Sequence, residues 1–354
     1  MSQIRTNAIL DANGGTTATV NGYAPSLSNM AGRNRIINGD MTIDQRNAGA
    51  SVTPAVGVAT YITDRWNIYP TQASKLTTQK NQGGVTPPAG FTNYLGVTSS
   101  SAYSLIATDL FVLDQPIEGF NVADLGWGTA NAQPVTLSFW VRSSLTGQFS
   151  GSFMNSAQTR SYPFVFTINA ANTWEQKTVT ASGDTTGTWL TDNGIGLYVY
   201  FSLGTGSNFT ATANTWTGSN RFAATGSTSL VGTNGATFYI TGVQLEAGSI
   251  ATPFERRLYG PELALCQRYY YALEAGRNSS NLIVPVGYAG SSTNAWLFIP
   301  HPVTMRVAPS VATGNWASGN PTSIGPGTDF TSFNVASWTH YFNFNSYYRA
   351  NAEL

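Results

Sequence analysis

Three carboxylates crowd one short stretch, ATDLFVLDQPIEGF, as Asp109, Asp114 and Glu118. Two more, Asp184 and Asp192, flank the loop GDTTGTWLTDN. Cleavage of a glycosidic bond needs two carboxyl groups facing that bond, and oxygen-rich loops between strands can hold Ca²⁺. Neither stretch has EF-hand spacing. Asp in such loops commonly satisfies turn backbone groups instead, and that reading fits both stretches best.

Other chemistry finds less support. There is no GxSxG elbow, no Gly-Lys pair of a P-loop and no GxGxxG fingerprint. The histidines are His301, in an extended X-Pro context, and His340, on one strand face with Trp338, Phe342 and Phe344. Both read as packed core or interface residues. Cys266 is the only cysteine, which excludes an intrachain disulfide framework and a cysteine-cluster metal site. No residue is therefore assigned a catalytic, metal-ligating or cofactor-binding role, and the expectation is a protein that is not an enzyme.

Charge sets further bounds. Asp, Glu, Lys and Arg make up 10% of the 354 residues, against roughly 25% in ordinary globular proteins. Seventeen basic and seventeen acidic residues leave no basic field for nucleic acid. No apolar block of the N-terminus resembles a secretion signal, and no run approaches the length of a membrane span. Synthesis in a reducing cytoplasm, without membrane insertion, is the expectation. A surface this short of charge is a solubility risk unless much of it is buried between subunits. Together with an N-terminal segment that cannot fold alone, this points to a homotrimer.

The elements that must position any site are strands. Val135, Leu137, Phe139 and Val141 alternate with Thr136, Ser138, Trp140 and Arg142. Leu197, Val199 and Phe201 alternate with Tyr198, Tyr200 and Ser202, and YPFVFTI repeats the pattern. A period of two marks strands with one buried face. The fold class is thus all-β, with a jelly-roll β-sandwich over residues 35–256. Residues 1–34, rich in Gly, Asn and Thr, form an extended arm; 257–276 form a connector with a helix; 277–354 form a smaller C-terminal β domain. The helix is placed at 261–275, started by Pro261 and ended by Gly276, with Leu263, Cys266, Tyr270 and Leu273 as its packing stripe.

Aromatic residues, 12% of the chain, are the positive signal. Trp189 and Trp216 lie among Gly, Thr and Asn, where an exposed ring beside hydroxyls and amides suits stacking on a sugar. Rings filling a subunit interface are the favoured explanation of both. In WTHYFNFNSYYR, one face carries Tyr341, Asn343, Asn345, Tyr347 and Arg349. That face suits either a glycan surface or an inter-subunit seam, where Tyr and Arg are also enriched.

Four stretches carry a resemblance: RNRIINGDMTIDQRNAGASVT (33–53), TDRWNIY (63–69), VTLSFWVRSSLTGQF (135–149) and FYITGVQLEAGSIATPFERRLYGPELALCQRYYY (238–271). They resemble a family of bacteriophage and prophage tail fibre-like structural proteins, over about residues 33–275. The resemblance implies a carbohydrate-binding-module-like jelly roll, usually trimeric, located in the virion tail or an appendage. It implies an arm joined to other virion tail proteins and a contribution to host-surface glycan recognition. It supplies no catalytic residues. A capsid decoration or tail-wall component is the alternative reading, and a glycan depolymerase a third.

Overall fold

The structure, a computed structural model, describes residues 32–274, 282–283, 286–291, 294–314, 321–335, 344–345 and 347–354. Among the described residues, thirteen strands precede a helix. They are Thr60–Thr63 (β1), Trp66–Pro70 (β2), Leu76–Lys80 (β3), Leu95–Ser99 (β4), Leu110–Glu118 (β5), Val135–Ser143 (β6) and Gly147–Met154 (β7). Ser161–Ile168 (β8), Glu175–Ala181 (β9), Ile195–Thr205 (β10), Thr210–Ala211 (β11), Ala223–Ala224 (β12) and Thr237–Ala247 (β13) complete them.

Two antiparallel sheets face each other in a jelly-roll sandwich, ordered β1-β2-β5-β10-β7-β8 and β3-β4-β13-β6-β9. Alternation decides the faces. Leu137, Phe139 and Val141 of β6 meet Leu197, Val199 and Phe201 of β10 in one core, all of them fully buried. The Phe139 and Phe201 rings pack edge to face at 5.1 Å. Burial of such rings supplies about 2–3 kcal/mol each. Trp140, on the other face of β6, is half-buried. It packs with Phe91 around Gly242, whose φ of 60° in a β13 bulge favours glycine and whose Cβ would lie 2.6 Å from the Phe91 ring.

The stretch after β13 fastens the sandwich. Glu246 accepts hydrogen bonds from the Thr252 backbone N–H (2.8 Å) and hydroxyl (2.7 Å), so the chain folds back on its own strand. Glu255 then takes the backbone N–H groups of Gly32 (2.8 Å) and Asn34 (2.7 Å). Asn34 Nδ2 donates to the Val243 carbonyl, and Arg257 bonds the carbonyls of Asn34 and Ile36. The chain is thus tied into the sandwich by Asn34, inside the stretch assigned to the arm; residues 1–31 lie outside those described.

The helix, α1, is shorter than the sequence implied: Tyr259–Gln267. Pro261 falls in its first turn. The aromatic run that follows does not continue it. Tyr270–Glu274 is a strand (β14), so Tyr270 and Leu273 do not belong to a helical stripe. β-propensity of consecutive tyrosines, with β22 (below) as an antiparallel partner, wins over the helical spacing. Cys266 is fully buried with Ile37, Ile43 and Tyr269, while Leu263 and Leu265 are alike half-buried beside them.

Beyond β14 the described strands are Leu282–Ile283 (β15), Val286–Ser291 (β16), Asn294–Pro300 (β17), Ser310–Thr313 (β18), Ser323–Pro326 (β19), Phe330–Val335 (β20), Phe344–Asn345 (β21) and Tyr347–Asn351 (β22). They form sheets ordered β14-β22-β18 and β16-β17-β20-β19, with β15 paired to β21. A separate core of Leu297, Ile299, Phe333, Val335 and Tyr348 lies between them. Polar fasteners join this C-terminal β unit to the sandwich. Arg268 grips Glu118, Arg306 donates to the Asn193 carbonyl, and Glu353 pairs with both Arg46 and Arg65.

Candidate functional site

The outer face of the six-stranded sheet carries a groove of about 360 Å³. Its floor follows from strand alternation. Phe111, Leu113 and Ile117 of β5 point into the core, so Leu110, Val112, Asp114 and Pro116 point out. On neighbouring strands, Asn67 and Tyr200 stand directly opposite Asp114, Tyr69 opposite Val112, and Tyr198 opposite Pro116. The ladder between β2 and β5 runs from Asn67–Asp114 to Pro70–Phe111 and does not reach Pro116, a residue that has no N–H to give. The Pro116 carbonyl is taken instead by the Arg65 guanidinium. The segment carrying β11 and β12 crosses the same face and adds Phe209 and Phe222 as a wall.

Aromatic rings dominate the lining. Tyr198 and Tyr200, two apart on β10, stack with centroids 5.1 Å apart and planes inclined by 21°. Phe222 meets Tyr200 edge to face at 4.9 Å. Gln158 and Asn220 bring amides to the rim. Among the described residues, no Lys, Arg or His lines the groove.

Among the described residues, Asp114 is the one acidic side chain in the lining. It is 4% exposed, and its hydrogen bond comes from Asn67 Nδ2 at 3.1 Å. Burial pushes its pKa up to about 8, against the opposing influence of Asn67 and of the Arg65 charge. It is therefore mainly a neutral carboxylic acid at pH 7, able to donate a hydrogen bond. Burial likewise raises the Tyr198 phenol to about 12, helped by Asp114, so it stays protonated.

The carboxylates singled out in the sequence do three different things. Asp109 closes a turn, as expected, accepting from the Ile106 N–H, Thr71 and Gln72. Asp114 and Glu118 depart from the turn reading: they are strand residues buried on β5. Glu118 is held by Arg268 and by the Tyr269 hydroxyl. Asp184 pairs with Arg160 and caps Thr186, and Asp192 takes the Gly194 N–H. Among the described residues no group of three or more His, Cys, Asp or Glu side chains could hold a metal ion.

Trp189 and Trp216 come together, with Trp127 as a third ring, at centroid distances of 4.7–5.6 Å. Each indole N–H donates to a backbone carbonyl: Trp127 to Gln133, Trp189 to Thr186 and Trp216 to Ser182. Trp127 is buried in the sandwich core, Trp189 and Trp216 are half-buried against it, and all three indole donors are used in holding loops.

Of the C-terminal candidates, Tyr341 and Asn343 lie outside the described residues, as do Trp338, His340 and Phe342. Asn345 is on β21. Tyr347, on β22, is half-buried with the Arg349 guanidinium 4.5 Å from its ring centre. His301 is buried in hydrogen-bond contact with the Thr328 carbonyl, Thr331 and Tyr348.

Sequence reasoning did not bring the groove together. Its signal was present in two places: Tyr198 and Tyr200 on the face opposite the core, and an acid inside the apolar run LFVLDQPI. Only the β2-β5-β10 order makes them neighbours.

No protein-family model matches this chain, and no curated protein matches it. Solved structures similar to it include the enzymatically active domain of tailspike protein 4 from bacteriophage CBA120, at 10% identity and a TM-score of 0.31. That match covers 60% of this chain and 21% of the tailspike chain. The family 11 carbohydrate-binding module of a Clostridium thermocellum cellulase is similar at 12% identity and a TM-score of 0.27, covering 58% and 99%. The module TmCBM61, solved with β-1,4-galactotriose, is similar at 10% identity and a TM-score of 0.31, covering 61% and 99%. At such identities and TM-scores these likenesses assign no function to the chain.

Proposed function

We propose that this protein is a non-enzymatic glycan-binding component of a phage virion, a tail fibre or related appendage, and that the sugar lies in the groove above Asp114. The observation that carries the reading is the floor itself. Stacked phenol rings, a protonated carboxyl group and rim amides converge in one depression of mixed polar and apolar lining. Sugar rings ask for apolar faces to stack on, with donors and acceptors at their edges. Tyr69 and Tyr198 supply the faces, with Tyr200 buried behind Tyr198, while Asp114, Gln158 and Asn220 supply the polar partners.

Binding without cleavage is the better reading of this lining. Hydrolysis uses two carboxyl groups flanking the bond, and among the described residues the groove offers one carboxylic side chain. The virion setting rests on the sequence resemblance over residues 33–275. In that setting a homotrimer, joined to tail proteins through its N-terminal arm, multiplies weak single sites into useful avidity. A glycan array probed with the full chain and with the Tyr69→Ala/Tyr198→Ala variant tests this. Binding by the parent alone supports the groove. Equal binding by the folded variant rules it out, and parent that shortens a bound polysaccharide rules out the non-enzymatic part.

A further inference from the structure

The groove has a charge character that a generic sugar site does not require. Asp114 is a buried acid with no cation in the lining to pair with it. Asn67 and Tyr200 flank it across the sheet, and Tyr198 and Tyr61 are near enough to feel its charge. Arg65, in the turn between β1 and β2, is a positive group whose charge opposes the rise in the Asp114 pKa. That guanidinium is already engaged, pairing with Glu353, bonding the Pro116 carbonyl and lying 3.7 Å from the Tyr269 ring centre. Around the acid, Tyr69, Tyr198, Tyr200, Phe209 and Phe222 present five aromatic rings. Aromatic faces attract cations, most strongly where water is excluded, and a buried carboxylate is costly until a cation joins it. An anionic sugar meets neither condition.

We propose that the groove selects glycans bearing a compact organic cation, an amino or quaternary ammonium substituent, which seats among the tyrosine rings against Asp114. The inference rests on the groove being the ligand site. Binding then proceeds with loss of the Asp114 proton to solvent, leaving a carboxylate–ammonium pair in place of a neutral acid.

The sign of the pH dependence follows. A permanently charged ligand binds better as pH rises toward the Asp114 pKa, because less work is needed to remove the proton, and its affinity levels off above that pKa. A neutral ligand that accepts a hydrogen bond from the protonated acid shows the opposite slope.

The test compares choline with 3,3-dimethyl-1-butanol, which has the same shape with carbon in place of the charged nitrogen, by calorimetry on the full chain. The expected result is choline binding at least about tenfold tighter, with an affinity that rises severalfold between about pH 7 and pH 9. Asp114→Asn should remove both the preference and the slope. Equal binding of the two probes, a falling pH profile, an unchanged preference in Asp114→Asn, or no binding of choline overturns the inference. The glycan-array comparison above judges the groove itself and does not depend on charge, so the two failures are distinguishable.

Discussion

Arg268 holds Glu118 by two parallel hydrogen bonds, Nε to Oε2 at 2.9 Å and Nη2 to Oε1 at 2.5 Å. One residue follows the connecting helix and the other ends β5, the strand that carries Asp114. Glu118 is 1% exposed, and the Tyr269 hydroxyl adds a third bond to it at 2.6 Å. Arg268→Ala strips the cation from a buried carboxylate and should cost about 3 kcal/mol. Urea unfolding of the full chain checks this, and a variant that unfolds like the parent would show that the joint contributes no stability.

The titration of Asp114 should be visible in stability. Its pKa is raised on folding, from the ordinary carboxylate range to about 8. Below the unfolded value both states hold the proton and nothing is lost. As pH rises from about 4 to about 8, the unfolded chain releases a proton that the native protein keeps, so stability falls by about 1.4 kcal/mol per pH unit. Asp114→Asn, which can still accept from Asn67, should lack that slope. Parallel pH–stability curves for parent and variant would place the Asp114 pKa near its unfolded value.

Cys266 is fully buried, and burial pushes its thiol well above the ordinary pKa. The reactive thiolate is therefore scarce and shielded. A thiol reagent at pH 8 should label the native protein only as fast as it opens, and should label one cysteine per chain in denaturant. Rapid labelling without denaturant would contradict the packing around α1.

Much of this architecture can be read from alternation, because a strand with one buried face writes its apolar side every second residue. Val135 to Val141 and Leu197 to Phe201 are core for that reason. In VQLEAGSIATPFERR a different constraint acts: Gln244, Glu246, Glu255 and Arg257 are fasteners whose hydrogen bonds demand particular residues. Helical spacing misled at Tyr270 and Leu273, since β22 supplies a strand partner from about eighty residues away in the chain, beyond the reach of any local pattern. The groove was hidden for the same kind of reason. Asn67, Asp114 and Tyr200 are adjacent only through sheet order, which local periodicity does not encode.

The proposed assembly has a direct consequence. With 10% charged residues, a monomer of 37.7 kDa would expose an unusually neutral surface. Sedimentation equilibrium at micromolar concentration should give three times the chain mass. A stable monomer there would contradict the homotrimer.

Tyr198 is half-buried, and stacking on its ring should contribute about 1 kcal/mol to a bound sugar. Tyr198→Ala should therefore weaken binding of an array-identified glycan about fivefold while the far-ultraviolet dichroism is retained. Unchanged affinity would remove Tyr198 from the site.

The central claim is that the sugar occupies the groove between β2, β5 and β10. A crystal structure of the full chain with the glycan identified on the array tests it most directly. The account predicts a sugar ring against the Tyr198–Tyr200 pair, with a polar substituent within hydrogen-bond distance of the Asp114 carboxyl group. Sugar bound instead at the Trp127–Trp189–Trp216 trio or on the C-terminal β unit, with the groove empty, would contradict it.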